Sequence, residues 1–141
     1  MNSSPPPAVV LDTNVLLDWM VFRDPRVRAL SHALEQGGMA WWATAAMRAE
    51  FSHMLGHRSL ERWKPECERA LACFDSLARM KDSSPPAPWR CSDPDDQCFV
   101  DLALDVDAGW LLTRDRALLK LARRAAGRGL IVVPPERWQP P

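Results

Sequence analysis

The sequence predicts a three-layer α/β fold in which a central parallel sheet of four to five strands is flanked by helices. Short apolar runs alternate along the chain with longer stretches of helical pattern, and this alternation is typical of βαβ units. The 141 residues fit a single domain, and 47% of them are apolar, as in an ordinary globular protein. No apolar run reaches the ~18 residues of a membrane span, so we predict no transmembrane segment.

The first half of the chain predicts two strand–helix units. A Pro-rich leader at residues 1–7 is expected to be disordered, and the first strand follows at Ala8–Leu11. The elements predicted after it are a helix over residues 15–22, a helix from Asp24-Pro25 to about Gly37-Gly38, a strand over residues 39–43, a helix over residues 45–56 with Thr44 as its N-cap, and a helix over residues 60–80.

The second half predicts two further strands. Residues 81–92 are rich in Pro and Ser and are expected to form an exposed loop. The elements predicted after it are a helix from residues 93–96 to 105, a strand over residues 108–113, a helix from residue 114 or 115 to 126, and a strand over residues 130–133. We therefore expect one domain over residues 8–135 and a C-terminal tail over residues 136–141.

The termini and cysteines indicate the compartment. The N-terminus has neither a basic start nor an apolar stretch, so it predicts no secretory signal, and a cytoplasmic protein is expected. The four cysteines lack the CxxC spacing of zinc-ribbon and redox sites, and we expect them to be reduced thiols.

The net charge of zero conceals an uneven distribution. The chain has 18 basic and 18 acidic residues, and four of the acids are candidate metal ligands, which leaves 18 basic residues against 14 acidic ones. Most basic residues are Arg, whose planar fork suits phosphate oxygens. One segment is especially basic, and it contains Arg114, Arg116, Arg123, Arg124 and Arg128. A solvated helix face and a phosphate-binding surface both remain open for this segment.

Four acidic residues stand at related places in the predicted fold. Asp12 ends the first strand and Asp115 lies just past the third, while Glu50 and Asp96 lie on the helices beside the second and third strands. The carboxyl ends of parallel strands share one edge of the sheet, so these groups can converge. Packed carboxylates need a cation to offset their repulsion, and Mg²⁺ and Mn²⁺ prefer oxygen ligands. Such ions can activate water and stabilise charge on phosphorus, so phosphodiester hydrolysis is the natural hypothesis.

Four segments, in this order, carry a resemblance to a known family. They are VVLDTNVLLD, AAMRAEF, DPDDQCFVDLAL and AGWLLTRDRALLKL, and together they resemble the PIN domain over about residues 8–133. The last two resemble the VapC-like branch of toxin components in toxin–antitoxin pairs. This resemblance implies a PIN-like fold and an endoribonuclease that depends on Mg²⁺ or Mn²⁺. It also implies an RNA substrate, a small antitoxin that inserts a segment across the acidic site, and a homodimer.

The resemblance also implies roles for individual residues. It assigns the catalytic and metal-binding roles to Asp12, Glu50, Asp96 and Asp115. Asn14 would brace the loop that holds Asp12, and Thr113 would hold Asp115 in a similar way.

The acidic run at residues 93–96 leaves a choice open. Spacing separates Asp95 poorly from Asp96, although counting back from the TRD-like element favours Asp96. Asp93 precedes Pro94 and is expected to be a helix N-cap.

Three other interpretations compete with the nuclease hypothesis. Glu50, His53 and His57 share a helical stripe that could bind zinc, but there is no HExxH pattern or third imidazole nearby in sequence. Aspartyl-phosphate phosphatases need a second Asp two residues after the first, where this chain has Asn14. A catalytically silent PIN-like module that only binds RNA or protein remains the alternative.

Overall fold

Five short strands pair in parallel and form one sheet. They are β1 (Ala8–Leu11), β2 (Ala40–Thr44), β3 (Arg79–Lys81), β4 (Trp110–Leu112) and β5 (Ile131–Val133). Their order in the sheet is β3-β2-β1-β4-β5. The computed structural model describes residues 5–140, so residues 1–4 of the leader expected to be disordered at residues 1–7 lie outside the described residues. The predicted α/β class with a parallel sheet of four to five strands is confirmed.

Helices connect the strands and flank the sheet. They are α1 (Thr13–Met20), α2 (Arg28–Glu35), α3 (Ala45–Leu55), α4 (Cys67–Leu77), α5 (Gln97–Asp105), α6 (Arg116–Leu119) and α7 (Ala122–Ala126). Short 3₁₀ turns cover Pro25–Val27, Arg58–Trp63, Pro94–Asp96 and Pro135–Arg137. No helix within residues 5–140 has both the length and the apolar character needed to cross a membrane.

The apolar sequence of strand β1 explains its position in the middle of the sheet. Val9 and Val10 are fully buried, as expected of a parallel strand covered on both faces. Register pairs Val9 with Trp41 of β2 and Val10 with Leu111 of β4. All the elements that hold the predicted carboxylates are therefore tied to this strand or to its neighbours.

The predicted helix over residues 60–80 is wrong. Residues 58–63 form a 3₁₀ turn, and Lys64 then adopts a left-handed conformation with φ of 46°. Pro65, which has no backbone N–H to donate, follows directly, so the chain restarts as α4 at Cys67. The last part of the predicted helix is strand β3, which pairs in parallel with β2 and supplies the fifth strand.

The predicted exposed loop at residues 81–92 is partly buried. Its first residue belongs to β3, and the side chains of Ala87 and Cys91 are buried. The backbone N–H of Ala87 donates to Asp101 Oδ1 at 2.7 Å, and that of Cys91 donates to Gln97 Oε1 at 2.7 Å. Two side chains of α5 thus hold this Pro-rich segment against the domain.

The predicted helix from residue 114 or 115 to 126 is interrupted. A tight turn at residues 120–121, in which the Leu121 N–H donates to the Leu118 carbonyl, separates α6 from α7. The predicted C-terminal tail contacts the domain, since Trp138 is buried. The predicted leader also contacts it at its last residue, since the carbonyl of Pro7 accepts the N–H of Ala40. The proposed domain limits stay a prediction.

An aromatic cluster anchors β2 to the helices on one face of the sheet. The ring of Trp41 meets the edges of Phe74 and Trp19, with centroid distances of 4.7 and 5.7 Å. Phe74 also stacks on Phe51 at 5.8 Å. Trp41, Phe51 and Phe74 are essentially inaccessible to solvent, so this contact carries much of the packing between α3, α4 and the sheet.

Phe74→Ala is expected to lower the free energy of unfolding by about 3–5 kcal/mol, because it leaves a cavity between two aromatic rings. Urea denaturation measures this change. Met80→Ala is the control, since Met80 is exposed on the edge strand β3, and its effect should stay near ~0.5 kcal/mol. Equal effects of the two substitutions would contradict this account of the core.

Candidate active site

The carboxyl ends of β1 and β4 form the point where the direction of strand order reverses. From β1 the sheet grows one way through β2 and the other way through β4, and such a switch point leaves a crevice for ligands. Asp12 follows β1 and Asp115 follows β4 after two residues. The topology therefore brings two of the predicted carboxylates to one crevice.

Asp12 is buried and held on both of its oxygens. It is the N-cap of α1, and its Oδ1 accepts hydrogen bonds from the backbone N–H groups of Asn14 at 2.6 Å and Val15 at 3.4 Å. Its Oδ2 accepts the hydroxyl of Thr113 at 2.5 Å. Only 4% of Asp12 is exposed, so its orientation is set by these three donors.

Thr113 joins the two strand ends through one hydroxyl group. It donates to Asp12 and accepts the backbone N–H of Asp115 at 2.9 Å. Asp115 in turn caps α6, since its Oδ1 accepts the N–H of Ala117 at 2.8 Å. Thr113 was predicted to hold Asp115. It does so by accepting the backbone N–H of Asp115, while the same hydroxyl group binds the carboxylate of Asp12.

Glu50 reaches the crevice from α3. Its Oε2 accepts the hydroxyl of Thr13 at 3.0 Å, which ties the exposed Glu50 to the first turn of α1. Thr13 is itself buried. Sequence reasoning missed Thr13, because it stands between the polar residues Asp12 and Asn14, where the sequence does not distinguish a buried hydroxyl from an exposed one.

The acidic run separates into three different environments. Asp96 is half-buried and faces the crevice, while Asp95 is exposed and lies outside it. Asp93 caps the 3₁₀ turn as expected, with its Oδ1 accepting the N–H of Asp95 at 3.0 Å. Carboxylate oxygens of Asp93, Asp96 and Asp115 nevertheless lie within 4.8 Å of one another. The helix-cap interpretation therefore missed that Asp93 adds a further negative charge to the site.

The four predicted acids face one small cavity of about 80 Å³. Its lining consists of Asp12, Thr13, Asn14, Glu50, Met54, Asp96, Phe99 and Asp115. Asn14 is exposed at this cavity, and it is its backbone N–H, not its side-chain amide, that makes the hydrogen bond to Asp12. The structure thus brings the predicted set together, and the catalytic and metal-binding roles stay predictions.

The carboxylates oppose one another electrostatically. Burial, followed by the contact with Asp115 and the charges of Asp115, Asp93 and Asp12, raises the pKa of Asp96 to about 7. Burial also raises the pKa of Asp12, although its hydrogen bonds from Thr113 and the backbone act in the opposite direction. Oδ2 of Asp96 is buried and has no hydrogen-bond partner within the described residues. The site therefore lacks positive charge or donors for at least one of its oxygens.

A nearby arginine is bound by other acids. Arg114 lies between Thr113 and Asp115 in sequence, but its Nε donates to Asp18 Oδ2 at 2.9 Å and its Nη1 pairs with Glu136. This ion-pair network ties the C-terminal turn to α1. Arg114 is absent from the lining of the cavity.

The competing zinc stripe does not form. His57 lies beyond the end of α3 and caps the following 3₁₀ turn, where its ring Nδ1 accepts the N–H of Ser59 at 3.1 Å. Within residues 5–140, the one group of possible metal ligands is that of Asp93, Asp96 and Asp115. All four cysteines are free, as expected, and burial raises the pKa of the Cys98 thiol to about 11.

A second and larger cavity, of about 640 Å³, contains none of the predicted site residues. It is lined by parts of α1, α2 and α4 together with the 3₁₀ turn that ends at Trp63. Acidic and basic side chains are mixed along its walls, so it lacks the single sign of charge that marks the small cavity.

Known proteins share both the sequence pattern and the fold. The family model of the PIN domain matches residues 8–117, a range that includes all four predicted acids. The fold is also that of a chain in the crystal structure of VapBC2 from Rickettsia felis bound to a DNA fragment from their promoter. The match covers 89% of this chain and 96% of that chain, with 16% identity and a TM-score of 0.57. No curated protein sequence matches the chain.

The chain is thus an α/β protein with an acidic crevice at the switch point of its sheet. It belongs to the PIN domain family. The family resemblance predicted from the four sequence segments is confirmed.

The raised pKa of Asp96 predicts that metal-free protein becomes more stable as the pH falls. A carboxyl group whose pKa rises from 3.8 to about 7 on folding holds its proton more firmly in the folded chain. Stability is therefore gained as the pH drops through 7, and the gain is complete below ~4. With chelator present, the melting temperature should rise by ~3 °C or more between pH 8 and pH 5.

Asp96→Asn should flatten this pH dependence, while Asp95→Asn, which changes the neighbouring exposed carboxylate, should leave it intact. Thermal unfolding followed by circular dichroism compares the three proteins. The same pH dependence in wild type and Asp96→Asn would overturn the assignment to Asp96.

Proposed function

We propose that this protein is a metal-dependent endoribonuclease that hydrolyses RNA phosphodiesters with Mg²⁺ or Mn²⁺, and that it is the toxin of a type II toxin–antitoxin pair. One observation carries the nuclease proposal: carboxylates from four separate parts of the chain face a single cavity of about 80 Å³. Membership of the PIN domain family supports the same reaction class.

The donor set fits a hard divalent cation. Asp12, Glu50, Asp96 and Asp115 supply only oxygen, and neither imidazole nor thiolate lines the cavity. Oxygens around one Mg²⁺ stand at most ~4.2 Å apart, twice the usual ligand distance, so the carboxylates of Asp93, Asp96 and Asp115, which lie within 4.8 Å of one another, need little movement. The buried, unpartnered Oδ2 of Asp96 is the kind of atom that a cation would satisfy.

A bound Mg²⁺ or Mn²⁺ would lower the pKa of a water molecule and offset the negative charge that builds on the phosphate. The chain itself provides the positioning. Thr113 fixes the Asp12 carboxylate, and Thr13 holds Glu50 toward the same cavity. Met54 and Phe99 give that cavity an apolar side, which strengthens electrostatic interactions within it.

The toxin role rests on the resemblance of the third and fourth sequence segments to toxin components. We propose that the chain works in the cytoplasm as a homodimer with a small antitoxin partner. A basic side chain from that partner would be attracted to the acidic cavity, because the described residues around it contribute at least four carboxylates and no cation.

A silent PIN-like binding module is the alternative, and one feature favours it. A carboxylate has about four acceptor positions, and three of those on Asp12 already receive hydrogen bonds. If its remaining acceptor position binds no metal, Asp12 serves the fold alone. Cleavage assays separate the two proposals.

Asp12→Asn is expected to reduce RNA cleavage by ~10²-fold or more, because it removes a charged ligand from the centre of the site. The substrate is a panel of end-labelled single-stranded RNAs, incubated with Mg²⁺, Mn²⁺ or chelator. Circular dichroism checks that the variant is folded.

Asp95→Asn is the matched control for this experiment, since it removes a neighbouring carboxylate that lies outside the cavity. Its cleavage should equal that of wild type. Full activity of Asp12→Asn would refute the assignment. If the metal-loaded wild type cuts no RNA in the panel, the silent-module alternative is favoured.

A small partner protein is expected to co-purify with the chain from its native host. Light scattering should then give a mass above that of a homodimer of the 15.9 kDa chain, and mass spectrometry should identify a short protein encoded nearby. Adding that partner in excess should inhibit cleavage. A clean monomer or homodimer with no such neighbouring gene would count against the toxin role.

A further inference from the structure

A row of basic side chains follows the connection from β4 to β5. Arg116 begins α6, Lys120 follows it, and Arg124 and Arg128 come at successive intervals of four residues. The connection is made of two short helices, α6 and α7, followed by turns at residues 120–121 and 127–129. All four side chains of this row are exposed, whereas Leu118, Leu121 and Ala125 of the same connection are buried in the core.

The positive charge of this row is not neutralised by the protein. Residues 116–135 contain five basic residues, the four of the row and Arg123, but no acidic residue. All five are exposed, and none makes an ion pair with the described part of the chain. The neighbouring Arg114 differs, because Asp18 and Glu136 bind it. The row therefore presents an uncompensated positive field to solvent.

The row begins at the acidic cavity. Asp115 lines that cavity and caps α6, so Arg116 is the next residue after a predicted metal ligand. From there the connection runs back along the sheet to the start of β5, and Leu130 N–H closes it onto the Ala125 carbonyl at 3.0 Å. The basic residues of this row are therefore continuous in sequence with one wall of the acidic cavity.

Exposed Arg and Lys side chains suit the phosphates of a nucleic acid. Three of the four residues in the row are Arg, whose guanidinium donates two parallel hydrogen bonds to a phosphate. Arg116 is the one member of the row within the part of the chain that matches the PIN family model, which ends at residue 117. The other three members of the row lie beyond that match.

We propose that Arg116, Lys120, Arg124 and Arg128 bind the phosphate backbone of single-stranded RNA and guide it to the acidic cavity. The choice of RNA rests on the proposed function, while the row itself rests on the charge and spacing of these side chains. Binding here depends on the backbone and not on base identity.

Binding of a fluorescein-labelled single-stranded RNA of mixed sequence tests the proposal. Fluorescence anisotropy is measured with the full chain in chelator, which separates binding from cleavage, over a series of KCl concentrations. Lys120→Gln combined with Arg124→Gln should weaken binding by ~10-fold. It should also reduce the slope of log Kd against log salt by ~1.4, because each lost phosphate contact contributes ~0.7 for single strands.

Arg58→Gln combined with Arg79→Gln is the matched control. It also removes two exposed, unpaired positive charges, one of them on β3 at the other edge of the sheet. Its salt slope should equal that of wild type. Equal changes in the two double variants would overturn the proposal, as would the absence of RNA binding by wild type or equally tight, row-dependent binding of duplex DNA.

Cleavage assays keep this proposal distinct from the proposed function. RNA binding that depends on the row, without metal-dependent cleavage, would support the proposed RNA-binding surface and refute the proposed nuclease activity. Cleavage by wild type with no effect of the row variants on binding would refute the surface and leave the nuclease standing. Thermal unfolding should be the same for both double variants, since all four replaced side chains are exposed.

Discussion

The hydroxyl group of Thr113 determines how the two central strands end. It donates to the Asp12 carboxylate after β1 and accepts the backbone N–H of Asp115 after β4, so a single buried atom links residues that are a hundred positions apart in sequence. A carboxylate at the end of a buried strand loses its hydration, and the fold can keep it there only if protein donors replace water. The arrangement of the crevice depends on that replacement.

The hydrogen-bond donors around Asp12 do not reach every acid of the site, so part of the negative charge there is not compensated. Hydrogen bonds lower the pKa of Asp12 against the effect of burial, but Asp96 has no comparable set of donors, and its neighbours raise its pKa. Holding these like charges together therefore lowers the stability of the domain. Such repulsion is common in active sites, because carboxylates placed to bind a cation repel one another when no cation is bound.

Structural features that depend on neighbouring residues in the sequence were predictable, and features that depend on contacts between distant segments were not. An apolar run that stops at Asp12 specifies a buried strand and its end, and the same pattern before Asp115 specifies β4. Strand β3 escaped prediction because Arg79–Lys81 has no apolar alternation and owes its conformation to pairing with β2. The nearness of Asp93 to Asp115 also has no local signal, because it depends on how the 3₁₀ turn packs beside the next strand end.

Arg114 directly precedes Asp115 in sequence, but two other acids bind its side chain. Asp18 and Glu136 share its guanidinium, so the protein does not supply its own counter-ion to Asp115 and its neighbours. The C-terminal turn, which contributes Glu136, therefore helps to hold Arg114 apart from the acidic cavity. Carboxylates that are not paired with this arginine remain open to cations from outside the protein, whether these are metal ions or side chains of another chain.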